Sequence, residues 1–158
     1  MRRPWNIIDT PVYSLATYDK DVINMNICTY VTAVSRQPKI YSIAIEHGSK
    51  THNNLEGTGN IVLQLLTKSQ IGLVSVFGKK SGKTFNKEHY LKNNSELEEW
   101  QGTQVLGGCA AYLLLKKMHR NRVGDHHLYT FEVKKYRTKS EGNILMFQDL
   151  IRENIILS

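Results

Sequence analysis

The chain has 158 residues and a formal net charge of +7, with 41% hydrophobic and 22% charged residues, as is ordinary for a globular protein. This length fits one domain, residues 1–158, with a core of its own. No apolar run is long enough to span a bilayer and the N-terminus lacks a signal-peptide core, so we expect a cytoplasmic protein with no membrane partner.

The first third of the chain predicts three strands. Residues 12–18 form the first, and a second begins near Val22 and extends to Ser35, with a bend or bulge. Pro38 marks the next turn, and the alternating residues 39–46 predict the third strand.

A strand-to-helix junction follows at residues 47–51. Ser49 is a good N-cap for a helix over residues 50–56, which Gly57 and Gly59 end, and residues 61–66 begin the next strand. The first turn of a helix presents unpaired N–H groups and a partial positive charge. The junction is therefore a candidate phosphate seat, and the alternative is an ordinary capped helix with a solvated lysine.

The second half is less regular. Residues 70–77 predict a short helix, and residues 95–100 predict a helical turn with acidic residues near its start. Between them, Gly78 and Gly82 suggest a phosphate loop, but three residues separate them where four are needed, which argues against a nucleotide hydrolase. Residues 127–136 alternate as a strand, and residues 144–147 and 154–157 predict two short ones.

Residues 109–119 are ambiguous. Their alanine, leucine, lysine and methionine content favours a helix, and periodicity does not separate a buried helix from a buried strand over so short a run.

The cysteine and histidine patterns do not predict a metal site. Cys28 and Cys109 lie in apolar contexts and are predicted to be buried free thiols. The six histidines lack a spacing such as H-x-x-x-H, so no metal site is predicted, and His52 and His89 are expected at the surface.

The order of several motifs resembles the flavin reductase-like, FMN-binding split-barrel family. The matching pieces are residues 24–35, Pro38, Ser49-Lys50-Thr51, and Gly124-Asp125-His126 before a strand. The resemblance covers roughly residues 12–157. It implies a mainly-β barrel of Greek-key type with short helices, a homodimer, and a strand over residues 109–119.

The resemblance also implies a flavin site, for FMN or FAD. Ser49, Lys50 and Thr51 would hold the phosphate, and residues 26–29 would run along the ring edge, mainly through their backbone. Core packing is the alternative for Ile27 and Cys28. The full set of implied cofactor-binding residues is Asn26, Ile27, Cys28, Thr29, His47, Ser49, Lys50, Thr51 and Lys83. His126 is the implied catalytic residue, beside the flavin where a nicotinamide docks.

Three functions follow from these observations. The first is an FMN-binding flavin reductase-like oxidoreductase that transfers a hydride from NADH or NADPH to flavin. The second is a flavin-binding electron carrier without nicotinamide activity. The third, motivated by the charge, is a basic nucleic-acid-binding barrel, although no nucleic-acid recognition signature is present. No G-x-G-x-x-G follows a strand, so a nicotinamide would lie over the flavin without a Rossmann domain.

Overall fold

Strands dominate the computed structural model, which describes residues 1–57, 61–94 and 96–156. The strands are β1 (Tyr13–Asp19), β2 (Val22–Met25), β3 (Val31–Ser35), β4 (Ile40–Glu46), β5 (Ile61–Leu65), β6 (Leu97–Trp100), β7 (Thr103–Leu106), β8 (Ala111–Val123) and β9 (His126–Thr138). The helices are α1 (Lys50–Gly57), α2 (Ile71–Lys79), α3 (Lys87–Asn93) and α4 (Phe147–Arg152), with 3-10 turns at Pro4–Asn6 and Lys68–Gln70. None of these described helices is long and apolar enough to cross a membrane.

Seven strands form one antiparallel sheet in the order β2-β1-β5-β8-β9-β4-β3. Its two edge strands, β2 and β3, are consecutive in the chain, and the segment between them joins the two edges. Cys28 exchanges both main-chain hydrogen bonds with Tyr13 of β1 (2.9 and 2.8 Å), and Ala44 N of β4 donates to Tyr30 O (3.0 Å). The predicted mainly-β barrel with short helices is confirmed.

The core follows from alternation along the strands. Tyr129 and Phe131 of β9 are fully buried, whereas Leu128 faces outward. They pack with Ile43 of β4 and Leu115 of β8 in one of two apolar clusters. Beyond Leu115, β8 and the facing part of β9 extend as a hairpin in which most of β8 is exposed, while Tyr129 and Phe131 of β9 remain buried.

Residues 22–35 form two strands, so the prediction of one long strand is wrong. The side chain of Asn26 ends the pairing, because its Oδ1 accepts a hydrogen bond from Leu15 N of β1 (3.0 Å). The chain then leaves β1 after Cys28 and reaches β4 at Tyr30.

The strand predicted over residues 109–119 is confirmed from residue 111 onward, as part of β8, and residues 109 and 110 precede it. Many of its residues favour a helix, but they form a strand because main-chain pairing with β5 on one side and β9 on the other outweighs their helix propensity. Tyr112 is fully buried, and its hydroxyl donates to Leu106 O (2.7 Å).

Residues 97–100 form strand β6, so the predicted helical turn is wrong, and Ser95 lies outside the described residues. Pairing with β7 brings Glu98 to Lys139, with an N–O distance of 2.9 Å, and buries Trp100. These long-range partners override the local helical preference.

The C-terminal strand predictions are also wrong. Ile144 and Met146 make single bridges to Thr67 and Pro11, and α4 begins at Phe147. Residues 154–156 form no strand. Leu157 and Gly59, to which strand and helix-end predictions refer, lie outside the described residues.

Candidate functional site

A cavity of about 530 Å³ opens where the segment after β2, the end of β4, the start of α1 and the loop after α2 meet. It brings together all the residues that the sequence nominated. Asn26, Ile27, Cys28, Thr29, His47, Ser49, Lys50, Thr51, Lys83 and His126 line it. Their roles as ligands stay predictions.

The start of α1 forms one wall of the cavity. Ser49 Oγ accepts a hydrogen bond from His52 N (3.1 Å), as the predicted N-cap requires. Thr51 Oγ1 accepts from Asn24 Nδ2 (3.2 Å), so its own proton remains available to a ligand. Lys50 Nζ lies 2.8 Å from Asp19 Oδ2, and this hydrogen bond and charge hold the pKa of Asp19 below its usual value.

Lysines dominate the charge of the cavity. Lys80 and Lys83 belong to the loop after α2, the lysine loop, and line the cavity together with Lys79 at the end of α2. Lys50 and Lys87 also line it, whereas Glu46 is its one carboxylate among the described lining residues. The Lys-Lys-x-x-Lys run was visible in the sequence as a basic cluster, but only Lys83 was nominated for a ligand. The cavity therefore suits an anion.

Lys87 is a buried member of this wall that the sequence did not nominate. Its Nζ donates to Met25 O (2.6 Å) and Phe77 O (2.9 Å), and the same atom lies over the Phe77 ring, 5.9 Å from the ring centroid. Burial lowers the pKa of Lys87 to about 8. No local pattern distinguishes Lys87 from the other lysines, because its partners are main-chain carbonyls distant in sequence.

The loop after α2 comes very close to β2 and to the start of α1. A Cβ on Gly82 would lie 2.2 Å from Asn24 Oδ1 and 3.1 Å from Lys50 Cβ. A residue with a side chain could not occupy this position without movement of the loop or of Asn24. Gly82 thus permits the lysine loop to close one side of the cavity.

Alternate main-chain groups of residues 26–29 are available to a ligand. Asn26 N donates to Leu15 O at 3.4 Å, and the amide and carbonyl of Cys28 are bonded to Tyr13. Within the described residues, the main chain of Ile27 and Thr29 has no such partner. The Cys28 thiol is buried and its pKa is raised to about 12, so this cysteine is an inert packing residue, as predicted.

His126 borders the cavity beside Tyr30, with ring centroids 5.5 Å apart. Its Nδ1 lies 2.6 Å from Asp125 Oδ1, and this hydrogen bond holds the pKa of Asp125 below its usual value. Asp125 O also accepts from His47 N (3.0 Å), which fixes the Gly-Asp-His turn against the end of β4.

His52 is buried, so its predicted surface position is wrong. It lies with His47 and His127 in a group of three rings, whose centroids are 4.7 to 5.0 Å apart. Sequence spacing missed this group because His127 comes from β9, which reaches α1 only through the folded sheet. His89 is exposed, as expected.

A family model decides the class of protein. The model described as "Flavin reductase like domain" matches residues 1–153. The chain belongs to the flavin reductase-like family. No curated protein sequence matches it.

Solved structures of this flavin reductase-like fold superimpose closely. An FMN-binding protein from Thermus thermophilus, crystallised with p-hydroxybenzaldehyde, has a TM-score of 0.80 at 18% identity, over 92% of this chain and 85% of that one. The NADH:FAD oxidoreductase SgcE6 of Streptomyces globisporus, in complex with NAD and FAD fragments, has a TM-score of 0.78 at 16% identity, over 92% and 85% of the two chains. The styrene monooxygenase flavin reductase of Pseudomonas putida S12 has a TM-score of 0.76 at 20% identity, over 90% and 88%.

Proposed function

We propose that the protein is an FMN-binding flavin reductase that takes a hydride from NADH or NADPH. The observation that carries this proposal is the cavity itself. A capped helix start and several lysines line its walls. The main chain of Ile27 and Thr29, which has no main-chain partner within the described residues, also lines it. Its volume of about 530 Å³ lies within the usual range for small-molecule sites.

The donor set fits a flavin mononucleotide. A phosphate requires cations and N–H donors, which Lys50, Lys83 and the first turn of α1 supply. The polar edge of a flavin ring requires hydrogen-bonding groups, which the main chain of Ile27 and Thr29 offers. FAD would use the same mononucleotide half.

Bound flavin would supply the hydride-accepting chemistry, and the protein would supply position and charge. The lysines neutralise the phosphate, and the main chain at Ile27 and Thr29 sets the orientation of the ring. His126, which Asp125 holds through Nδ1, positions the nicotinamide and keeps Nε2 free to exchange a proton with the reduced product.

Spectroscopy of the purified protein tests the proposal. We expect saturable FMN binding in a fluorescence titration, and oxidation of NADH or NADPH that depends on added FMN. Parallel titrations with FAD, and assays with each nicotinamide, establish the preferences. A protein that binds neither flavin would refute the proposal. One that binds FMN but leaves both nicotinamides unoxidised would be an electron carrier.

Charge variants locate the phosphate. Lys83→Gln should weaken FMN binding by about threefold to tenfold, since it removes one cation from the cavity. Lys135→Gln removes the same charge from an exposed position on β9 outside the cavity lining, and should leave the affinity unchanged. Equal losses in both variants would indicate a general charge effect.

The family resemblance further supports a homodimer in the cytoplasm. The described surface carries exposed apolar side chains that such a dimer would cover, among them Met118, Val123 and Leu128 of the β8–β9 hairpin.

A further inference from the structure

Three histidines converge beside the candidate flavin cavity. His47 follows β4, His52 lies in the first turn of α1, and His127 is the second residue of β9. One ring nitrogen from each lies within 4.8 Å of the others. Of the three, only His47 also lines the cavity, so this three-histidine group is a distinct site adjoining it.

The contact between His47 and His127 places a single proton between two ring nitrogens. Their Nδ1 atoms are 3.0 Å apart, so one of them carries a proton and donates it to the lone pair of the other. A metal ion can replace that proton and satisfy both nitrogens. Two nitrogen ligands of a tetrahedral zinc ion are about 3.3 Å apart, so the His47–His127 pair would widen by about 0.3 Å. The three nitrogens now span up to 4.8 Å, so His52 would move toward the other two rings.

His52 supplies an independent reason to expect a ligand. Its Nε2 is buried and, within the described residues, has no hydrogen-bond partner, a condition that costs free energy. Glu56 Oε1, at 4.0 Å, is beyond hydrogen-bond distance and already accepts from Arg120 and from the Tyr129 hydroxyl (3.1 Å). A metal ion would give Nε2 the missing partner.

Binding through His52 Nε2 places the proton of its imidazole on Nδ1. That atom accepts a long hydrogen bond of 3.4 Å from Gly48 N, so metal binding would break this bond and require the two N–H groups to move apart. Glu56 contributes a negative charge 4.0 Å from His52 Nε2 and is also paired with Arg120, which limits the repulsion that this arginine exerts on a cation.

We propose that His47, His52 and His127 bind a divalent transition-metal ion of the zinc class, with a fourth position open to water. Imidazole ligands suit zinc, copper and nickel, and three protein ligands with one open position are an established zinc arrangement. The ion would join the end of β4, the first turn of α1 and the start of β9. It would thereby fix the helix whose first turn borders the cavity.

Metal titration of untagged protein tests the proposal. We expect one equivalent of Zn²⁺ to bind in a competition assay, and Co²⁺ to give the absorption of a tetrahedral complex. His52→Gln and His127→Gln should each weaken binding by roughly 100-fold or more. His119→Gln, at an exposed position of β8, is the matched control and should bind as the wild type does.

Two further measurements keep the result decisive if a variant folds poorly. X-ray absorption of the zinc-loaded wild type should show three imidazole nitrogens at about 2.0–2.1 Å. FMN titration of the same variants separates metal loss from flavin loss, because His52 and His127 do not line the cavity. The absence of micromolar binding, equal binding in all variants, or a metal shell without imidazoles would overturn the proposal.

Discussion

Lys87 makes the stability of the fold depend on pH. Burial lowers its folded-state pKa to about 8 from an ordinary value of 10.5, so between these values the unfolded chain binds a proton that the folded chain does not. The free energy of unfolding therefore rises with pH across this window, by up to about 3 kcal/mol. Below about pH 8 both states hold the proton, and the contribution is lost.

Urea unfolding at about pH 8 and about pH 10, for wild type and Lys87→Met, measures this contribution. Methionine keeps the apolar stem but has no titrating group, so the rise specific to Lys87 should vanish. Other titrating groups are common to both proteins and cancel in the comparison. Parallel pH profiles would show that Lys87 keeps an ordinary pKa in the folded protein.

Gly82 is the position where a single methyl group should displace one wall of the cavity. Gly82→Ala places a Cβ against Asn24 Oδ1, so the lysine loop or Asn24 must shift. We expect a loss of stability of about 1–3 kcal/mol and FMN binding weakened by about tenfold. Thermal unfolding and flavin titration measure the two effects.

Gly72→Ala is the matched control for this substitution. A Cβ there meets no atom within 4 Å, and alanine favours the helix α2 in which Gly72 lies. Stability should be equal or slightly higher, with flavin affinity unchanged. If Gly82→Ala behaves in the same way, the loop is not confined by Asn24.

At the level of elements, the start of α1 combines two functions that substitutions at Ser49 can separate. Ser49→Ala removes the cap on His52 N and should cost about 1 kcal/mol of stability. Ser49→Asp retains a capping oxygen, so stability should be kept, but its charge repels a phosphate. FMN binding should therefore fall further in the aspartate variant than in the alanine variant.

Ser140→Asp adds the same charge at an exposed position outside the cavity lining and serves as the control. Chemical unfolding measures the stability of the three variants, and FMN titration measures their affinity for FMN. An aspartate variant that binds FMN as tightly as the wild type would show that the phosphate lies elsewhere.

Elements were predictable from sequence where local pattern and long-range pairing agree. The alternation of β4 and β9 and the Ser49 cap are local signals, and the structure shows both. Residues 97–100 were mispredicted because Glu98 and Trp100 are placed by Lys139 and by the core, which no local window contains. For residues 109–119 the family resemblance, and not propensity, identified the strand.

The candidate site shows the same division. Ser49, Lys50 and Thr51 are neighbours in the chain, so their convergence could be inferred from a single junction. Lys87 and the three-histidine group depend on elements that meet only in the folded barrel. Local pattern therefore identified one wall of the cavity and the family resemblance added residues of the others, but neither identified Lys87 or the three-histidine group.

At the scale of the whole molecule, we predict a homodimer that covers exposed apolar side chains of the β8–β9 hairpin. Leu128→Lys places a charge on this outer face and should shift the protein toward monomer, since burying an unpaired charge is costly. Lys135→Gln serves as the control on the same strand. Light scattering gives the masses, and a wild type that is monomeric at every concentration would contradict the prediction.

The segment between β2 and β3 joins the two edges of the sheet, and it also lines the cavity. Within the described residues, Cys28 and Tyr30 connect the two sheet edges through three main-chain bonds, to Tyr13 and Ala44. A flavin that binds the main chain of Ile27 and Thr29 would hold this segment in place. The tighter the flavin binds, the more free energy local opening of the barrel at this segment should cost. Deuterium uptake at the amides of Cys28 and Ala44 should slow when FMN is added, while uptake in the β6–β7 pair stays the same.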